Sequence, residues 1–276
     1  MTKRLNISSK TILNDGNKMP LFGLGVWAAK PGGECYNSVL YALKKGYRHI
    51  DTAEMYDNEK DVGSAISDSG IDRKDIFVTT KLWDCSLGFD HALKSFDKSL
   101  NKMKLEYIDL YLIHWPSKNF FMEIWEAFEK IKKSGRCISI GVSNFAPHHL
   151  KKILGNFNER PAVNQIEISP FLQQKEISSF CKKNNIHLTG YCPLARGERL
   201  DSRVIVGIAS ELNKTPAQVM IRWSIQKGNT VIPKSSRPTR IEENSDIFNF
   251  ELSKKQLHII DSLEEGLRFC PDPLKI

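Results

Sequence analysis

The chain has 276 residues, of which 41% are hydrophobic and 26% are charged, a balance typical of a folded domain with a sizeable core. Its 40 Lys and Arg residues outnumber its 32 Asp and Glu residues and give a formal net charge of +8. The basic residues are spread along the chain, so we expect neither nucleic acid nor a membrane surface as a partner. No apolar run approaches the length of about 18 residues that a membrane span requires.

The cysteines indicate a reducing compartment. None forms a C-x-x-C pair or lies beside His at metal-ligand spacing, so we predict buried thiols and no metal site. A chain this long does not need a disulfide framework, which favours a cytoplasmic location. The first seven residues lack an apolar stretch after their charges and are not expected to form a signal peptide. The six cysteines are Cys35, Cys85, Cys137, Cys181, Cys192 and Cys270.

Short apolar runs alternate with longer amphipathic stretches between residues 21 and 235. The runs predict eight strands, at residues 21–26, 47–52, 77–81, 108–114, 139–142, 163–166, 188–191 and 231–232. Between the strands, apolar residues recur at helical spacing, as in the stripe of Ala92, Phe96, Leu100 and Met103. This alternation, in a single domain over residues 1–276, predicts the α/β class and a (β/α)8 TIM barrel.

A doubly wound sheet is the structural competitor of the barrel. It would carry a Gly-rich phosphate fingerprint in the turn between its first strand and first helix. The chain has only Gly23 and Gly25 there, followed by Val26 and Trp27, with no third glycine at the required position. The barrel is therefore the preferred interpretation.

Two features flank the predicted barrel. Residues 11–20 predict an N-terminal β-hairpin that plugs the N-terminal mouth of the barrel, and Asp15 and Gly16 indicate a type I′ turn in it. Residues 237–247 and 253–263 predict two additional C-terminal helices. Ser253, with Gln256 three residues later, is typical of a capping box at the start of the second helix.

Four polar residues lie at or just after the ends of predicted strands. Asp51, Lys81 and His114 follow buried apolar runs, and Tyr56 comes five residues after Asp51. Because the C-terminal ends of barrel strands point into the active site, we expect these side chains to meet. Together they can donate a proton to a carbonyl oxygen while a hydride arrives at the carbon. Taken singly, Asp51 is also a reasonable helix cap, Lys81 a surface residue and His114 a core histidine.

The chain resembles the aldo-keto reductase family, in its short-loop, microbial form. The resemblance extends over about residues 14–244 and depends on four segments that occur in the family's order. They are GYRHIDTA (46–53), YIDLYLIHWP (107–116), IGVSNF (140–145) and VIPKS (231–235).

The resemblance implies roles for the four polar residues. Tyr56 is the general acid, and Lys81 is expected to lower its pKa from the value near 10 of a free phenol. Asp51 provides the carboxylate partner that keeps Lys81 charged. His114 is expected to orient and polarise the carbonyl.

The resemblance also implies an NADPH site. Ser143, Asn144 and Gln165 match residues that hold the nicotinamide carboxamide, and Tyr191 matches the residue that stacks on its ring. Lys234, Ser235 and Arg240 match contacts to the extra ribose phosphate, so we predict NADPH over NADH. Glu243 and Asn244 match adenine contacts, and Leu194 lies in a loop expected along the cofactor. Cys192 departs from the family pattern, in which Ser more often follows this Tyr, and Arg196 in the same loop is a weaker candidate for the cofactor phosphates.

Three tryptophans just past strands predict the substrate pocket. Trp27, Trp83 and Trp115 favour an apolar, aromatic pocket for a small carbonyl compound. The loops around it and the tail after Leu263 are short, which predicts an open pocket with loose specificity. The outer helices show no extra apolar face, so we expect a monomer.

Carbonyl reduction with NADPH is the predicted function, and two alternatives stay open. The first is a regulatory or structural protein that binds the cofactor with little turnover. The second is a barrel enzyme that uses Lys81 to form a Schiff base with a phosphorylated sugar. The second alternative leaves Tyr56 and Asn144 without a role.

Overall fold

The computed structural model describes residues 5–83, 85–117 and 119–276. The prediction that the chain begins without a signal peptide concerns its first seven residues, of which the first four lie outside these ranges. In the part of the chain that is described, no helix is both long and apolar enough to cross a membrane.

An antiparallel hairpin comes first, with β1 at Lys10–Ile12 and β2 at Lys18–Pro20. The predicted hairpin is confirmed, but the predicted type I′ turn is wrong. That turn needs positive φ at both central residues, whereas Gly16 has φ +85° and Asp15 is not in the positive region. The Gly16 N–H donates to the Leu13 carbonyl at 3.0 Å and the Leu13 N–H donates to the Asn17 carbonyl at 2.8 Å. These bonds form a three-residue turn with a glycine bulge.

Eight parallel strands form the wall of the barrel. They are β3 (Leu24–Gly25), β4 (His49–Asp51), β5 (Phe77–Leu82), β6 (Ile108–Ile113), β7 (Cys137–Ser143), β8 (Val163–Glu167), β9 (His187–Tyr191) and β10 (Thr230–Val231). Each strand pairs with the next in chain order. The ring closes because Phe22 pairs with Val231 and Gly25 pairs with Lys234. The predicted (β/α)8 barrel is confirmed.

Helices surround this wall. They are α1 (Glu34–Lys44), α2 (Glu59–Asp68), α3 (Gly88–Met103), α4 (Phe121–Lys133), α5 (Pro147–Asn156), α6 (Lys175–Lys183), α7 (Arg203–Glu211), α8 (Pro216–Gln226), α9 (Pro238–Ser245) and α10 (Lys254–Asp261). The two predicted C-terminal helices correspond to α9 and α10. The capping box is confirmed, because Ser253 Oγ accepts the Gln256 N–H at 3.2 Å and Gln256 Oε1 accepts the Ser253 N–H at 2.9 Å.

The hairpin covers the N-terminal end of the barrel, as predicted. Leu13 and Met19 are buried in an apolar cluster with Leu110, Leu112 and residues at the starts of β5 and β8. Asn14 Nδ2 donates to the Pro161 carbonyl at 2.9 Å, just before β8. With this end closed, the barrel opens at the C-terminal ends of its strands.

Candidate active site

A buried ion pair lies at the C-terminal ends of β4 and β5. Lys81 Nζ donates to Asp51 Oδ1 at 2.6 Å and to the Thr52 carbonyl at 2.7 Å, and the Lys81 side chain is fully buried. Gln165 Nε2, from β8, donates to the other carboxylate oxygen of Asp51 at 2.6 Å. Asp51 thus joins a predicted catalytic residue to a predicted cofactor residue on the far side of the barrel.

Tyr56 and His114 lie directly beside this pair. Tyr56 ends the 3₁₀ turn Glu54–Tyr56 after β4, and Lys81 Nζ lies 5.1 Å from the centroid of its ring. The His114 ring follows β6 and meets the Tyr56 ring edge-on, with centroids 5.8 Å apart. The Trp83 ring lies 5.4 Å from the His114 ring. The structure therefore brings Asp51 and the other three residues of the predicted tetrad together.

Burial dominates the acid–base properties of Tyr56. It raises the pKa of Tyr56 well above its ordinary value, and the negative charge of Asp51 raises this pKa further. The lowering of this pKa that is predicted for Lys81 is outweighed by burial and by Asp51, and it stays a prediction. The Lys81 ammonium is paired with the Asp51 carboxylate at 2.6 Å, which reduces but does not remove the positive charge near the phenol.

The surroundings of His114 favour its neutral form. Burial lowers its pKa well below 6.5, and the positive charge of Lys81 lowers this pKa further. Among the described residues, its Nδ1 atom has no hydrogen-bond partner although it is buried. A neutral imidazole with an unused polar atom is suited to bond a ligand, since a buried polar group without a partner is costly.

A chain of polar side chains continues from His114 across β7 to β9. Asn144 Nδ2 donates to the His114 carbonyl at 3.0 Å and to Ser143 Oγ at 3.1 Å. Asn144 Oδ1 accepts the Tyr191 hydroxyl proton at 2.8 Å. Ser143 Oγ donates to the Gln165 carbonyl at 2.8 Å. These bonds fix the orientation of side chains that the sequence assigns to the nicotinamide end of the cofactor.

A cavity of about 860 Å³ extends above these groups. Lys81 is not in its lining and lies behind Asp51 and Tyr56. The predicted residues that line it are Trp27, Asp51, Tyr56, Trp83, His114, Trp115, Ser143, Asn144, Gln165, Tyr191, Leu194, Lys234 and Arg240. The three tryptophans thus share one cavity with the proton-donating groups and with three cationic side chains, those of Arg196, Lys234 and Arg240.

Three residues predicted at the adenosine end do not line this cavity. Ser235 Oγ accepts the Arg237 N–H at 3.2 Å within a local turn. Glu243 Oε1 accepts the Thr215 hydroxyl proton at 2.7 Å, and Asn244 is buried in α9. Lys234, which does line the cavity, faces Glu34 of α1 at 3.9 Å.

Comparison with known proteins shows which family has this arrangement. A model described as the aldo/keto reductase family matches residues 22–265. The chain belongs to the aldo/keto reductase family. It is 46% identical over 261 residues to glyoxal reductase of Bacillus subtilis, with 95% of each chain covered. It is 42% identical over 267 residues to methylglyoxal reductase DkgA of Escherichia coli, again with 95% of each chain covered. A structure of a Bombyx mori aldo-keto reductase in complex with NADP superposes with a TM-score of 0.88 at 32% identity, covering 95% of this chain and 94% of that one.

Sequence reasoning missed one wall of this aldo/keto reductase's cavity. Phe269, Cys270, Pro271 and Ile276 line the cavity from the C-terminal tail. The tail is short, as noted above, and these residues bring it to the cavity as part of its lining, while an open pocket with loose specificity stays a prediction. Two prolines among these last residues are the only local signal of a fixed path.

Arg196 occupies a position that the sequence left undecided. Its guanidinium carbon lies 4.8 Å from the Trp27 ring centroid and 5.3 Å from the Phe269 ring centroid. Its Nη2 atom also lies 4.0 Å from Cys270 Sγ. Arg196 therefore connects the loop after β9 with the loop after β3 and with the tail.

Within residues 5–83, 85–117 and 119–276, no group of three or more His, Cys, Asp and Glu side chains is arranged to hold a metal.

Proposed function

We propose that this aldo/keto reductase reduces a small aldehyde or ketone to the alcohol with NADPH, and that Tyr56 is the general acid. The observation that carries the proposal is the convergence of Tyr56 and His114 at one cavity, beside the buried Asp51–Lys81 pair. Asn144 and Gln165 line the same cavity.

The residues present fit a phosphorylated nicotinamide cofactor. The amide oxygen of Gln165 and one lone pair of Asn144 Oδ1 remain for a carboxamide, which carries both donors and acceptors. Lys234 and Arg240 supply positive charge at the other end of the cavity, where a ribose phosphate would bind. The relative from Bombyx mori binds NADP, which supports this assignment. When bound, NADPH supplies the hydride for the carbonyl carbon.

The role of Tyr56 follows from its surroundings. Because its pKa is raised, the phenol keeps its proton until negative charge develops on a carbonyl oxygen beside it. The proton then passes from the phenol to that oxygen. The Lys81 ammonium, 5.1 Å from the ring, stabilises the phenolate that remains. Asp51 keeps Lys81 in place and charged.

His114 and the tryptophans position the substrate. A neutral imidazole donates a hydrogen bond to a carbonyl oxygen without competing with Tyr56 for the proton. Trp27, Trp83 and Trp115 supply apolar surface around it. The relatives that are named glyoxal and methylglyoxal reductases support compact dicarbonyl compounds as the substrate class.

The Schiff-base alternative is disfavoured by the position of Lys81. Its Nζ atom is bonded to Asp51 and Thr52, is fully buried, and does not line the cavity. A nucleophilic lysine needs access to the substrate.

Turnover distinguishes the reductase from a cofactor-binding protein. We would follow NADPH oxidation with methylglyoxal, an aromatic aldehyde and a keto sugar, and compare NADH and the Tyr56→Phe variant. Turnover that prefers NADPH and depends on Tyr56 supports the proposal. Tight NADPH binding without turnover of any carbonyl contradicts it and favours a regulatory or structural role.

A further inference from the structure

The C-terminal tail is attached to the barrel through backbone groups before it reaches the cavity. The N–H groups of Glu265 and Leu267 donate to the Phe171 carbonyl at 3.2 and 3.0 Å. The next two donors are the N–H groups of Phe269 and Cys270, and both are accepted by the side chain of Glu167. One bond, to Oε1, is 2.9 Å long, and the other, to Oε2, is 3.0 Å long.

Glu167 is built into the barrel, not into the tail. It is the last residue of β8, two positions after Gln165, and only 2% of it is exposed. A buried carboxylate is costly unless it is hydrogen-bonded, and here both oxygens accept backbone N–H groups from a segment about 100 residues away. Gln174 reinforces the attachment, because it donates to the Glu167 carbonyl at 2.8 Å and accepts from Arg268 at 3.3 Å.

The two bonds to Glu167 set the position of the residues that line the cavity. Phe269 and Cys270 are themselves lining residues, and Pro271 follows them. The Phe269 ring lies against the Arg196 guanidinium, which also lies over the Trp27 ring. The tail is thereby connected across the mouth of the cavity to the loops after β9 and β3.

We propose that Glu167 is a positioning residue that holds the C-terminal tail as one wall of the carbonyl pocket and so restricts the enzyme to compact substrates. This inference depends on the proposed reductase function. Glu167 acts through the tail, so its loss changes the fit of the carbonyl compound and leaves the proton donation by Tyr56 intact. We therefore expect the loss of Glu167 to change KM and the preference between small and bulky carbonyl compounds.

The test is the Glu167→Gln variant. The amide has nearly the shape of the carboxylate but turns an N–H₂ group toward one of the two backbone donors, so one hydrogen bond is replaced by a clash of donors. The matched control is Glu129→Gln. Glu129 Oε1 also accepts a backbone N–H, that of Glu159 at 3.1 Å, but the residue lies on α4 and does not line the cavity.

Three measurements on the Glu167→Gln variant test the proposal. Amide hydrogen exchange at Phe269 and Cys270 is at least about tenfold faster than in the wild type. KM for methylglyoxal rises about five- to tenfold while kcat changes less than about twofold, and an aryl ketone gains relative to methylglyoxal in kcat/KM. The affinity for NADPH, measured by fluorescence titration without substrate, stays within about twofold. Glu129→Gln changes none of these quantities.

A chain that ends after Arg268 separates positioning from a general loss of stability. If Glu167 acts through the tail, the Glu167→Gln change has no further effect on substrate preference once the tail is gone. A further effect of the same size in the shortened chain overturns the proposal. So does faster exchange in the full-length variant with unchanged KM and substrate preference. If the wild type turns over none of the carbonyls tested, the proposed function is contradicted. That result is distinct from the two outcomes that overturn the role of Glu167.

Discussion

The floor and the rim of this barrel both bury polar side chains, and these side chains form different kinds of hydrogen bond. Near the floor, His49 Nε2 bonds Thr79 Oγ1 at 3.0 Å, and His187 Nε2 bonds Thr230 Oγ1 at 2.9 Å. The His49 ring lies 5.1 Å from the ring of Phe77, which belongs to the same apolar cluster as Leu13 and Met19. At the rim, Asp51 accepts bonds from both Lys81 and Gln165, and the cavity begins immediately beyond.

This difference separates stability from chemistry within one set of strands. The same strand, β4, carries His49 at its start and Asp51 at its end. Changes near the floor are expected to alter the free energy of unfolding and to leave the reaction unchanged. Changes at the rim are expected to affect turnover, and the Asp51–Lys81 pair is expected to affect both.

The largest effect is expected from Tyr56→Phe. The ring keeps its contact with His114 while the proton donor is lost, so kcat falls by about 10²- to 10⁴-fold. NADPH oxidation with methylglyoxal measures the loss, and thermal unfolding shows whether the fold is kept. A variant that retains more than a tenth of the wild-type kcat would mean that another group donates the proton.

Asp51→Asn is expected to cost the protein stability as well as activity. It leaves the fully buried Lys81 ammonium without its counter-charge, which costs about 3–5 kcal/mol in the free energy of unfolding. Urea unfolding measures this cost. Glu159→Gln is the control, because it breaks the Lys132–Glu159 pair at 2.6 Å on the partly exposed outer surface and is expected to cost less than about 1 kcal/mol. Equal costs for the two variants would contradict the assignment of the rim pair as a desolvated one.

Acid is expected to weaken the floor through His49. Burial lowers its pKa from 6.5 to about 3, so between these values the unfolded chain binds a proton that the folded chain does not. The free energy of unfolding therefore falls as the pH falls, and His49 accounts for ~3 kcal/mol of this loss between neutral pH and about pH 4.5. Urea unfolding at both pH values is expected to show a smaller pH effect in His49→Gln. The exposed His258, changed to Gln, is the control and is expected to leave the pH effect as it is in the wild type.

The smallest effects are expected at the cationic end of the cavity, and they have opposite signs. Arg240→Gln is expected to weaken NADPH binding about tenfold and NADH binding less, because it removes a charge predicted to meet the extra phosphate. Glu34→Gln is expected to strengthen NADPH binding about two- to threefold, because Glu34 faces Lys234 at 3.9 Å and competes with a phosphate for it. Fluorescence titration measures both. An equal loss of NADPH and NADH affinity in Arg240→Gln would place Arg240 away from that phosphate.

The order of the strands could be predicted from the sequence, and so could the four polar residues at or just after strand ends. Apolar, β-branched runs predict β5, β6 and β8 because their burial is local to the run, and the polar residue that ends a run is visible at Lys81 and His114. The limits of β3 are not visible in this way. The predicted strand covers residues 21–26, whereas the ladder with β4 involves only Leu24 and Gly25.

Contacts between distant segments account for what the sequence did not predict. The bond between Gln165 and Asp51 joins residues 114 positions apart, and the bonds from the tail to Glu167 span 102 and 103 positions. The spacing of apolar residues along the chain carries no information about pairs so far apart in sequence. The net rise in the pKa of Tyr56 was not visible in the sequence for a related reason, since it depends on the burial of Tyr56 and on its distance from Asp51.

The closed N-terminal end of the barrel also determines the route by which substrate enters and product leaves. Since Leu13 and Met19 close the N-terminal end, a carbonyl compound arrives, and its alcohol departs, on the rim side. Arg196 and Phe269 of the tail are in contact on that side and both line the cavity. Release of the alcohol therefore depends on side chains that take no part in bond making.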